Sequence, residues 1–173
     1  MMKQKHALVA VLGALLMGFW SPAAQAQTEN GERKIIYAVS TKKADRCAIW
    51  VDAIEFGKDY TTVQMHYAEQ RGRANLMPST TLVCHLKGGE TKVLTLRSTR
   101  GISMVKDHYT PLRRGEVFTA LFSPLLVGDV ARIKSIDLLE DAGSLSRNKK
   151  QNLNPGVFNI LGIRIDRKHQ LVR

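Results

Sequence analysis

The chain has 173 residues, with 26 Lys and Arg against 15 Asp and Glu, 2 Cys and 6% aromatic residues. That length suits one domain with a real core, and an apolar fraction of 44% excludes an intrinsically disordered chain. Two cysteines exclude a disulfide-dense miniprotein and any multi-cysteine zinc module.

Residues 1–26 read as a signal peptide. Lys3, Lys5 and His6 make a positive start, Ala7 to Trp20 carries no charge, and Ala24-Gln25-Ala26 is a small-x-small cleavage triplet. The apolar run is shorter than the roughly 20 residues a bilayer span requires. Cleavage removes few basic groups, so the positive balance belongs to the remainder, which is expected to be exported without stable membrane insertion.

Residues 27–33 (QTENGER) read as a polar leader, and 34–173 as one β domain. Strands are predicted over Lys34 to Val39, Cys47 to Phe56 and Tyr60 to Tyr67, the last two joined by a hairpin at Gly57-Lys58-Asp59. In the third, Val63, Met65 and Tyr67 share one face, the period of a half-buried strand. Thr80 to Leu86 and Thr91 to Thr99 form a second hairpin around Gly88-Gly89, and Ile102 to Val105 is a short piece. Gly115 to Phe122 aligns Phe118, Ala120 and Phe122. Val127 to Leu139 has some helical character, overlapping a strand from Ala131 to Glu140. Ala142 to Pro155 is a basic loop. Val157 to Ile165 begins with Phe158 and Ile160 on one side and changes to Ile163 and Ile165 at Gly162, the mark of a bulge. The pattern is all-β: an antiparallel immunoglobulin-like β-sandwich, with a small β-barrel as the alternative.

Order and spacing carry a resemblance. Ser79-Thr80-x-Leu82, Gly88-Gly89, Gly101-Ile102, Phe118-x-x-Leu121-Phe122-x-Pro124-Leu125, Ile136-Asp137-Leu138-Leu139-Glu140 and Phe158-Asn159-Ile160-x-Gly162-Ile163 follow one another. Together they resemble a secreted β-sandwich module of Bacteroidota-type bacteria, found alone or in front of peptidase or thioredoxin-like domains. The resemblance implies fold and export, and transfers no active site.

Catalytic and cofactor signals are thin. The histidines beyond the signal segment, His66, His85, His108 and His169, lack H-x-x-x-H spacing, and no serine sits in a G-x-S-x-G elbow. No metal, cofactor or catalytic residue is expected, although Asp137 and Glu140 would be the carboxylates of a rival envelope-hydrolase reading. Their simplest role is solvent-facing or loop-bracing. Cys47 and Cys84 suit either a disulfide or two buried thiols; a bridge would add about 4 kcal/mol in the chain-entropy model. Basic residues cluster at Lys42-Lys43 with Arg46, Arg71 with Arg73, Arg97 with Arg100, Arg113-Arg114 and Arg147 to Lys150, and between Arg164 and Arg173. Arg113, Arg114, Arg147, Lys149 and Lys150 are the candidate contacts for an anionic partner: an envelope protein, an acidic glycan or lipopolysaccharide. Export argues against nucleic acid. A non-catalytic binding or scaffolding protein is the leading expectation, with an accessory subunit of a surface assembly as a further one. Mass spectrometry of exported protein should find Gln27 at the N-terminus; an intact Met1 would refute cleavage.

Overall fold

A computed structural model describes residues 35–40, 48–145 and 157–172, with side chains for 48–145 and 157–167. Among these the strands are β1 (Ile35–Ser40), β2 (Ile49–Phe56), β3 (Thr61–Tyr67), β4 (Arg71–Ala74) and β5 (Thr81–Leu86). They continue as β6 (Thr91–Arg100), β7 (Thr110–Arg113), β8 (Val117–Phe122), β9 (Ile133–Leu139) and β10 (Asn159–Val172). One helical turn, α1 (Val127–Val130), precedes β9, so the helical character read from Val127 onward reduces to a single turn before a strand. The short piece expected at Ile102 to Val105 is only an isolated bridge, Ser103 to Asn75.

The fold is all-β, and its ladders are antiparallel. Eight strands follow the order β1-β10-β9-β5-β6-β8-β3-β2, and β2 pairs back onto β1. Of the two antiparallel architectures that alternation allows, the ladder takes the form of the small barrel. β4 and β7 pair only with each other, as a separate two-stranded ribbon.

Alternation fills the barrel. Val63, Met65 and Tyr67 of β3 point inward as expected, and so do Phe118, Ala120 and Phe122 of β8. Leu82 and Cys84 of β5, with Ile136 and Leu138 of β9, complete the same buried cluster. Each large side chain contributes roughly 1.5–3 kcal/mol when removed from water. In a barrel of eight strands the interior is just wide enough for such side chains to fill it.

Bulges keep apolar residues inward along the curved strands. In β2 the buried set changes from Ile49 and Val51 to Ile54 and Phe56, and the register with β3 shifts between Val51 and Ala53. In β10 the register shifts between Ile160 and Ile163, both buried, with Gly162 at φ 67°. That is the expected switch, in a backbone region glycine occupies at little cost. Asp137 Oδ1 accepts the Gly162 N–H at 2.7 Å, which satisfies a donor where the register breaks.

The ribbon continues the β3–β8 pair beyond the barrel. Between β7 and β8, the Gly115 N–H donates to the Tyr67 carbonyl at 2.8 Å. Leu112 and Ala74 face inward and belong to the common core, and Gly72 lies against the Tyr67 ring. A β-carbon at residue 72 would collide with the Tyr67 hydroxyl. Gly72→Ala should therefore cost about 1–3 kcal/mol in denaturant unfolding, and adding Tyr67→Phe should recover part of it. No loss, or no recovery in the double variant, would contradict this close approach.

Candidate functional site: an arginine ribbon

Register and alternation together place the ribbon's charges. Arg71 stands opposite Arg113, Gly72 opposite Leu112, Arg73 opposite Pro111 and Ala74 opposite Thr110. With Gly72, Ala74 and Leu112 turned inward, period two turns Arg71, Arg73 and Arg113 outward, and all three are exposed. Arg114 follows in the exposed turn, where its N–H reaches the Gln70 carbonyl at 3.4 Å. Arg113 is pinned through its backbone N–H, which donates to Glu116 Oε2 at 3.0 Å.

These four guanidinium groups make no ion pair among the described residues. Arg73 lies over the Tyr109 ring, 5.1 Å from its centroid, a cation–π contact that holds the guanidinium without neutralising it. Basic groups beside the β5–β6 turn behave differently. Lys92 and Arg132 pair with Glu90 at 2.7 and 2.9 Å, and Arg132 also reaches Asp129 at 3.1 Å. Like charges directly opposite across a ladder are destabilising. The Arg71–Arg113 pair thus carries a repulsion that an anion between the two strands would relieve.

The sequence-derived contact residues divide accordingly. Arg113 and Arg114 lie in the ribbon, and the fold adds Arg71 and Arg73 to them. Arg147, Lys149 and Lys150 lie outside the described residues, as does Cys47. Arg97 and Arg100 stand on β6 and Arg164 on β10, so the clusters do not all share one surface. Cys84 is a free, buried thiol, which corrects the disulfide expectation on its side of the pair. It faces the barrel interior, and burial pushes its pKa up to about 12.

Other polar groups brace the fold. His66 Nδ1 meets Asp52 at 2.7 Å across β2 and β3, and His85 Nε2 meets Asp137 at 2.8 Å across β5 and β9. Glu140 is buried; its carboxylate accepts the Met77 N–H at 2.9 Å and the Phe158 N–H at 2.8 Å. Asn159 Oδ1 accepts the N–H groups of Glu140 and Asp141, and its amide donates to the Asp141 carbonyl at 2.6 Å. Asp137 sits on the outer face of β9 beside buried Ile136 and Leu138, whereas Glu140 follows the inward parity of Leu138. The two carboxylates of the rival hydrolase reading are therefore spent on different backbone donors on opposite sides. The loop-bracing role is the one Glu140 fills. No group of three or more metal-ligating side chains occurs among the described residues.

Comparison with protein-family models, curated proteins and solved structures gave no match.

Burial raises the pKa of the Glu140 carboxyl, against the two backbone donors that lower it. A raised folded-state value favours the protonated form, so this group's contribution is fully present below its ordinary value of 4.5 and is lost as pH rises through the raised one. The pH dependence of unfolding above pH 4.5 should therefore be flatter in Glu140→Gln. Identical pH profiles for the two proteins would contradict the assignment.

Proposed function

We propose that the chain is an exported, non-catalytic binding protein of the cell envelope whose contact surface for anionic partners is the β4–β7 ribbon. The observation that carries this reading is the ribbon itself: Arg71, Arg73, Arg113 and Arg114, exposed, close together and with no ion pair to their guanidinium groups among the described residues. Arginine presents several N–H donors in a planar fork, which suits carboxylate, sulfate and phosphate groups. A rigid platform beneath it limits the ordering cost of binding. Here the platform is the shared core under Leu112 and Ala74.

Export rests on residues 1–26, and the motif order supports the kinship with secreted bacterial β-sandwich modules. A charged ribbon also deters edge-to-edge aggregation. That role alone needs no arginine directly opposite another, so the cross-strand repulsion favours a ligand. Candidate partners are an acidic glycan, lipopolysaccharide or an acidic envelope protein, each offering clustered anions. Nucleic acid is disfavoured by the export signal.

The test is retention on immobilised heparin at increasing salt. Arg71→Ala with Arg113→Ala should elute earlier and lower the log–log salt slope by about two. Arg97→Ala with Arg100→Ala should change elution less. The ribbon substitutions should leave stability unchanged or raise it by up to about 1 kcal/mol, because they remove like-charge repulsion. Equal losses for both double variants would mean generic attraction to net charge and would overturn the ribbon as the contact surface.

A further inference from the structure

Beside the ribbon lies a cavity of about 360 Å³. Lys106, Asp107 and Tyr109 line it from the loop that leads into β7, and Asn75, Ser79, Glu140 and Asp141 line it as well. Its volume lies near the lower end for small-molecule sites. Tyr109 joins the two features, since it lies beneath the Arg73 guanidinium and also lines the cavity.

The chemistry of the cavity differs from that of the ribbon. Lys106 and Asp107 are exposed and make no ion pair among the described residues. Asp107 holds φ 62°, an uncommon backbone state for a residue other than glycine. Asp141 is fixed, its carboxylate accepting the Ser144 hydroxyl at 2.6 Å and the Gly143 N–H at 2.8 Å. Those bonds hold its pKa below the usual carboxylate value, so it stays ionised. Asn75 is anchored by donating to the Val105 carbonyl at 3.1 Å.

A bare polyanion gains from the ribbon and is repelled by Asp107 and Asp141. A hydroxyl-rich ring bearing an anionic substituent gains from both. Its hydroxyls can donate to the carboxylates and accept from the Lys106 ammonium, and its C–H face can lie on an aromatic wall. We infer that this cavity is a saccharide subsite, so that the anionic partner of the ribbon is an acidic glycan with one sugar unit seated against Tyr109. The inference rests on the ribbon reading and goes one step past it, by assigning the uncharged part of the ligand to a second surface.

The experiment titrates a heparin-derived oligosaccharide and inorganic polyphosphate against the wild type, Asp107→Gly, Tyr109→Ala and the Arg71→Ala/Arg113→Ala double variant. Glycine suits the backbone at position 107, so Asp107→Gly removes a carboxylate without straining the loop. It also removes a negative charge. Simple anion attraction would strengthen for both probes, whereas a saccharide subsite predicts that only the oligosaccharide is weakened.

Asp107→Gly and Tyr109→Ala should each weaken the oligosaccharide about tenfold. Polyphosphate should be unaffected or tightened by Asp107→Gly, and Tyr109→Ala, which also releases the Arg73 guanidinium, should weaken it less than it weakens the oligosaccharide. The arginine double variant should weaken both probes. If the cavity variants hold oligosaccharide affinity within about twofold of wild type, or shift both probes alike, the saccharide subsite is overturned while the ribbon stands. If the arginine double variant weakens neither probe, the ribbon fails as well.

Discussion

Closure of the strand ladder is the constraint on which the rest depends. A sheet has two edges of unpaired N–H and C=O groups, each a template for unwanted pairing. Here β2 pairs with β1 and β1 with β10, so the eight-stranded sheet consumes its own edges. Closure also sends every inward side chain into one interior. Phe118, Phe122, Met65 and Leu138 fill that interior, and the proposed contact surface lies outside it.

The ribbon stands on that barrel. β4 and β7 leave the barrel as the continuation of β3 and β8, anchored inward by Leu112, Ala74 and the approach of Gly72 to Tyr67. An inward apolar face forces the alternate positions outward, and the chain places arginine at three of them. Elsewhere the balance differs: near the β5–β6 turn, Glu90 and Asp129 compensate Lys92 and Arg132. Net charge alone would not separate these surfaces, whereas local pairing does. The buried carboxylate of Glu140 and the two His–Asp contacts tie strands and loops in place around them.

Much of the barrel wall was legible because its strands are long enough to show period two. Val63, Met65 and Tyr67, or Phe118, Ala120 and Phe122, announce their inward face, and Gly162 announces the parity change in β10. The bulge in β2 also leaves a trace in the sequence, since the apolar positions Ile49 and Val51 before Asp52 and Ile54 and Phe56 after it differ in parity. β4 and β7 escaped because each has four residues with a charge, a glycine or a proline, and too few apolar positions to show a period. The spacing of Arg71 and Arg73 is the signal that remains, an exposed face read through its charges. Closure itself has no local signature, since β1 and β10 lie near opposite ends of the chain. The cavity beside Tyr109 likewise joins segments around residues 75, 107 and 141, a proximity only the folded chain creates.

The most direct measurement is a hydrogen-exchange footprint of the protein with and without the heparin-derived oligosaccharide. The account predicts protection concentrated in peptides covering β4, the loop before β7 and β7 itself, with the β5–β6 turn unchanged. Protection confined to β6, or a ribbon whose exchange is unaltered at saturating oligosaccharide, would contradict it.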